Sequence, residues 1–184
     1  MGVTVRVATV LDAAAVAAIY APAVVDTIIS FELEPPTTDA MAKRIASTLP
    51  THPWLVAERD GAVVGYAYGS RHRWRAAYRW SVDVAVYLRE DARRQGIGRA
   101  LYERLVEILK TQGFHMAYGG IALANPASVG LHEAVGFEFL CVYKEVGYKM
   151  GRWVDVGWWQ LALSDPGAAP HEPIPFAKIA DQFR

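Results

Sequence analysis

The sequence is poor in the features that mark several large functional classes. It holds one cysteine, Cys141, in 184 residues, which excludes an internal disulfide and fits a reducing compartment. Nineteen Lys and Arg stand against nineteen Asp and Glu, and this balance gives no sign of a nucleic-acid or membrane partner. No apolar run reaches the roughly 18 residues of a bilayer-crossing helix. The N-terminus has no basic stretch leading into an apolar core, as a secretory signal would. A soluble cytoplasmic protein is the expectation. Nucleotide signatures are missing as well: there is no GxxxxGK[ST], and Gly96-Ile97-Gly98 is followed by Leu101 where the dinucleotide fingerprint has a third glycine or alanine. His132-Glu133 does not open an HExxH zinc motif, because residue 136 is Gly. His52, His72, His115 and His171 lack ligand spacing and read as surface or structural residues. No metal site is expected.

What is present fits one domain over residues 1–163 with an irregular surface arm, rich in proline, over 164–184. Val3 to Ala8 alternates as a strand. Thr9 with Asp12 resembles a capping box and opens a helix carrying Leu11, Ala15, Ala18 and Ile19 on one face, which Pro22 should stop. Val24 to Pro36 reads as a connecting or binding loop. Thr37 or Thr38 caps a second helix with Met41, Ile45 and Leu49 inward. Trp54–Glu58 and Ala62–Tyr68 form a hairpin around Asp60-Gly61. Val82 to Leu88 is a buried strand, and residues 98–112 form a helix ended by Gly113. Met116–Leu123, a short helix capped by Asn125 with Pro126 in its first position, and strands from Phe137 and Trp153 complete the order β-α-α-β-β-β-α-β-α-β-β. This is a mixed, mostly antiparallel α/β sheet with helices on both faces.

The chain is organised around the strand-turn-helix of residues 82–101. Glycines at 96 and 98 give backbone freedom for close approach, and the first N–H groups of the helix, from Gln95 through Ile97 to Ala100, point outward without partners. Arg93, Arg94 and Arg99 add positive charge. Together these make an anion cradle, since a helix N-terminus favours a phosphate.

Arg93-x-x-Gly96-x-Gly98 directly after a strand resembles the pyrophosphate-binding motif of the GCN5-related N-acetyltransferases (GNAT). The segments Ala77–Tyr87, Ala124–Phe137, Gly147–Gln160 and Phe31–Pro36 are similar to the phosphinothricin and methionine sulfoximine acetyltransferases within that superfamily. The resemblance spans about residues 3 to 163. It implies the GNAT acyl-CoA N-acyltransferase fold, acetyl-coenzyme A as co-substrate, a small amino-acid acceptor and a homodimer, with the aromatic last strand (Trp153, Trp158, Trp159) as one source of contact. It also implies that backbone near Val84, Ala85 and Val86 holds the pantetheine and acetyl groups, with Asn125 and Ser128 also on the coenzyme side.

Acetyl transfer to an amine needs the amine unprotonated, the thioester carbonyl polarised and the departing thiolate stabilised. Similar enzymes carry Glu at the position of Asp83 as the base. Asp is one methylene shorter, which favours proton removal through a water. His132 falls where the family pattern places a general acid, and packing in the core is the equal alternative. Arg73 and Arg75, shortly before Asp83, suit a carboxylate or phosphinate through paired hydrogen bonds. Tyr78 and Phe31 would complete the acceptor site. Two other functions stay open at this point: acetylation of a protein N-terminus or lysine, and a non-catalytic acyl-coenzyme A sensor.

Overall fold

The computed structural model describes residues 2–165, 167 and 169–183. The chain runs β1 (Val3–Val7), α1 (Ala13–Val25), α2 (Thr38–Thr48), β2 (Trp54–Arg59), β3 (Ala62–Arg71), β4 (Ser81–Leu88), α3 (Ile97–Gln112), β5 (Met116–Ala122), α4 (Pro126–Ala134), β6 (Glu138–Lys149) and β7 (Arg152–Ala162). The strands form one seven-stranded sheet in the order β1-β2-β3-β4-β5-β7-β6. All neighbours pair antiparallel except β4 and β5, which are parallel. A parallel pair needs a crossover, and α3 is that crossover.

Alternation along β4 assigns its two faces. Val82 and Val84 pack with Leu101, Leu105, Ile108 and Leu109 of α3 on one side. On the other, Tyr87 packs with Tyr66, Tyr20 of α1, and Met41 and Ile45 of α2. Asp83 belongs to this second face. The β2–β3 hairpin turns at Asp60 and Gly61, both at positive φ (53° and 78°), which is the backbone that a two-residue turn of this kind requires.

Pro22 does not end α1, which continues to Val25, and Val24 is buried. The hydrogen bond that Pro22 cannot donate is outweighed by packing of the last turn. The buried face of α1 is Val16, Ile19, Tyr20 and Val24, while Leu11 is 90% exposed in the short 3₁₀ turn before the helix. A helix that is apolar nearly all round carries no periodic signal to choose a face. The described residues beyond 163 hold two short 3₁₀ turns, Phe176–Lys178 and Ala180–Phe183, and they are not merely a surface arm: Phe176, Ile179 and Phe183 are buried within the α3-side core. Pro166, Ala168 and Arg184 of that arm, like Met1, lie outside the described residues. Of the β7 tryptophans, Trp153 is exposed and Trp159 is buried, its indole N–H donating to Glu133 at 3.2 Å.

Candidate active site

The strand, glycine turn and helix expected over residues 82–101 are present, and the helix begins without a side-chain cap. Gly96 is the N-cap of α3 at φ 78°. The N–H of Ala100 bonds back to Gly96 O at 3.0 Å. The N–H groups of Ile97, Gly98 and Arg99 precede it in the first turn and have no intrahelical acceptor. A side chain at Gly96 would meet nothing within 4 Å, whereas a Cβ at Gly98 would lie 3.0 Å from Leu131 of α4 and 3.3 Å from Leu88 of β4. Gly98 is therefore small enough to let α3 sit close to α4 and β4. Gln95 accepts from Arg59 at 2.8 Å and donates to Asp91 O at 2.7 Å, which ties the turn to β2. Arg93 and Arg94 are exposed, and neither has an ion pair among the described residues. Arg99 pairs with Glu103 on the helix surface.

Next to the cradle the sheet opens. The parallel pairing of β4 with β5 covers only Ser81–Asp83 against Met116–Tyr118. Beyond it β5 continues along β7 to Ala122, and β4 continues along β3 to Leu88. The β5-facing backbone edge of Val84, Ala85 and Val86 is thus left without a strand partner. Asp83 stands at the last paired rung. Burial pushes its carboxyl up from the ordinary range, opposed by a hydrogen bond from His72 and the charges of His72 and Arg73.

That hydrogen bond was not legible in the sequence. His72 Nδ1 lies 2.6 Å from Asp83 Oδ1 and its side chain is largely covered, so of the two readings of His72, surface or structural, the surface one does not hold. Its ring stacks on Tyr118 at 4.6 Å and meets Tyr78 edge-on at 5.9 Å. Alternation gives no hint of it, because His72 lies in the β3–β4 connection and reaches the strand only through the turn that follows. A cavity of about 240 Å³ opens beside Ser70, the register partner of Asp83, walled by Tyr20, Arg44, Trp54, Tyr66 and Tyr68. Arg44 within it is held by both oxygens of Glu32, at 2.7 and 2.8 Å.

The residues expected on the acceptor side, Phe31, Arg73, Arg75 and Tyr78, do not all lie together. Tyr78 is beside His72, and Arg73 is near enough to act on Asp83 electrostatically. Arg73 and Arg75 are both exposed and have no ion pair among the described residues. Phe31 lies across the backbone of Gly147 in β6, where any Cβ would collide with its ring. The loop carrying it is clamped by Lys149, whose buried ammonium donates to the carbonyls of Val24 and Ser30 at 2.6 Å each.

His132 is only 3% exposed. Its Nδ1–H donates to the Ser128 carbonyl at 2.8 Å, which leaves Nε2 to accept from the Tyr102 hydroxyl at 2.9 Å. Burial pushes the imidazole below its ordinary range. The ring lies against Gly119 of β5, where a Cβ would fall 2.5 Å from Nε2. Asn125 caps α4 by accepting from the N–H of Ser128 at 3.2 Å.

Comparison with known proteins agrees with this geometry. The model of the family described as "Acetyltransferase (GNAT) domain" matches residues 5–158. The phosphinothricin N-acetyltransferase of Streptomyces viridochromogenes is 37% identical over 94% of this chain and 93% of its own. The L-methionine sulfoximine/L-methionine sulfone acetyltransferase of Salmonella typhimurium is 37% identical over 91% of this chain and 98% of its own. Among solved structures, a phosphinothricin acetyltransferase from Sinorhizobium meliloti in complex with acetyl-coenzyme A superimposes with a TM-score of 0.89 at 37% identity, covering 95% of this chain and 96% of that one. An α3 N-terminus free to bind an anion, beside a sheet that parts after Asp83, is what an acyl-coenzyme A transferase requires, and the chain belongs to the GNAT acetyltransferase family.

Proposed function

We propose that this protein transfers the acetyl group of acetyl-coenzyme A directly to the α-amino group of a small amino acid or analogue. The side chain of that acceptor ends in a tetrahedral, oxygen-bearing group, as in phosphinothricin, methionine sulfoximine or methionine sulfone. The observation that carries it is the parting of β4 from β5 immediately after Asp83, next to the uncapped N-terminus of α3. The names of the relatives support the acceptor class.

In this assignment the N–H groups of Ile97, Gly98 and Arg99 receive the pyrophosphate, with the Arg93, Arg94, Gln95 and Arg99 side chains around it, while the N–H of Ala100 is already bonded to Gly96 O. The unpaired edge of Val84 to Val86 takes the pantetheine and polarises the acetyl carbonyl. Asp83 accepts the proton of the amine, through a water. Arg73 and Arg75, unpaired and exposed, hold the acceptor's carboxylate or phosphinate, between Tyr78 and Phe31. His132 has a packing role, since both ring nitrogens are already engaged. The protein works in the cytoplasm as a homodimer.

A turnover assay with free amino acids tests the assignment. Methionine sulfone or phosphinothricin should be acetylated, and the corresponding amines lacking a carboxylate should not. Arg73→Ala or Arg75→Ala should raise KM for the acceptor and leave that for acetyl-coenzyme A unchanged. Equal acetylation of amines without a carboxylate would sink the amino-acid assignment. Asp83→Asn should keep coenzyme binding and lower turnover by about 10²–10⁴-fold, the usual worth of a general base; a wild-type rate would remove Asp83 from that role.

A further inference from the structure

Deepening the assignment of Asp83 as base, and resting on it, we propose that His72 is the positioning residue of this site: its Nδ1–H holds one oxygen of the Asp83 carboxylate so that the other faces the acceptor amine. His72 Nδ1 and Asp83 Oδ1 are 2.6 Å apart. A carboxylate can only accept, so Nδ1 carries the hydrogen and the tautomer is fixed. The ring is fixed in turn by walls from separate parts of the chain. It stacks on Tyr118 of β5 at 4.6 Å and 24°, and meets Tyr78 and Trp158 of β7 edge-on at 5.9 and 6.2 Å. Tyr118 is the register partner of Asp83 in the last paired rung of β4 and β5, so the imidazole bridges the two strands where they part.

Exposure separates the roles of the two groups. The Asp83 side chain is 30% exposed and that of His72 is 13% exposed, so the carboxylate faces the open space and the imidazole stands behind it. A base has to be ionised to accept a proton, and burial disfavours the ionised form of Asp83. The hydrogen bond from His72 and the charge of Arg73 work against that burial. In the step served, the amine nitrogen bonds to the thioester carbonyl carbon and the C–S bond breaks with its electron pair on sulfur. The surplus proton on nitrogen passes through a water to Asp83, and the thiolate takes a proton from solvent. His72 itself moves no proton.

Two variants separate positioning from packing and from direct proton transfer. His72→Asn places an N–H donor close to where Nδ1 stood, and His72→Phe keeps a ring on Tyr118 but donates nothing. The other groups facing the pair, Tyr68, Arg73, Tyr78 and Tyr118, are unchanged in both. Calorimetry should show unaltered acetyl-coenzyme A affinity for each. In His72→Phe the acid limb of kcat/KM should move to higher pH. Below that limb the rate should fall about tenfold for each unit of displacement, and it should recover as pH rises. In His72→Asn both limb and rate should stay close to wild type. If Asn is as damaging as Phe and the limb disappears, the imidazole is itself the base and the proposal is wrong. If Phe matches wild type at every pH, His72 only packs, and the proposal is wrong again. Failure of the underlying assignment shows elsewhere, as a wild-type rate in Asp83→Asn. Without any substrate, the Nδ1 proton of His72 should resonate far downfield in ¹H NMR, and a ring protonated on Nε2 alone would overturn the geometry.

Discussion

At the scale of single residues, the two glycines of the cradle look alike in sequence and do different work. Gly96→Val would place a β-branched residue at φ 78° with open space around it. The expected outcome is a strained turn and weaker acetyl-coenzyme A binding with the core intact. Gly98→Val would drive its side chain into Leu131 and Leu88, and overpacking of that kind costs about 1–3 kcal/mol. Thermal unfolding and calorimetry of the two variants separate the effects: Gly98→Val should lose Tm first, Gly96→Val affinity first. Asp12 offers a pH prediction. Hydrogen bonds from Arg6, at 2.8 and 2.9 Å, hold its carboxyl below the ordinary range despite burial, helped by the Thr9 N–H. A carboxyl depressed in the folded state stabilises above its unfolded pKa of about 4 and loses that contribution as pH falls through the folded value. Asp12→Asn should therefore lower Tm at pH 7 and flatten its dependence on pH below about 4. A parallel displacement of the whole curve would contradict this origin.

At the scale of elements, the strands, the caps and the hairpin were legible because each has a local cause. Asn125 with Pro126, Thr37, Gly113 and Asp60-Gly61 all mark boundaries that the structure keeps. What stayed hidden depends on contacts distant in sequence. Nothing near Lys149 announces that its ammonium is buried between the carbonyls of Val24 and Ser30, and nothing near His72 announces Asp83. The Val24–Pro36 loop was readable as a connection, but its anchoring was not. Lys149→Met tests what the clamp does. It removes a charge-assisted donor from two buried carbonyls, and leaving such groups unpaired costs about 1–3 kcal/mol each. Amide hydrogen exchange should rise across residues 24–33. KM for the acceptor should rise with the displacement of Phe31, while acetyl-coenzyme A affinity should not change, because the cradle lies across the sheet at α3. Exchange unchanged in the loop would show that Phe31 on Gly147 and the Glu32–Arg44 pair hold it without Lys149.

At the scale of the whole molecule, the sheet alone does not close the core. One end of α3 lies where the connection from α2 to β2 and the C-terminal arm meet. Gln112 donates to the carbonyls of Thr51 and Ile174 at 2.8 and 2.7 Å, and its own carbonyl accepts from the N–H of Ile174 at 2.7 Å. Phe176 N–H donates to Thr51 O at 3.2 Å, and Phe183 lies under the Arg104 guanidinium at 4.8 Å. The prolines at 170, 173 and 175 conceal this in the sequence, since they break every periodic pattern that would mark buried residues. The spacing of Phe176, Ile179 and Phe183 is helical but too short to stand out. Phe176 is 1% exposed, and truncating a buried Phe to Ala costs about 3–5 kcal/mol. In a chain of this size that corresponds to roughly 6–20 °C in Tm. Phe176→Ala should produce a loss in that range, and deletion of residues 170–184 a larger one. Both should leave acetyl-coenzyme A affinity intact at temperatures where the chain remains folded, because the arm's contacts with α3 at Arg104 and Gln112 lie beyond its first turn. A truncated chain that melts with the full-length protein would show that α3 and the sheet close the core without the arm.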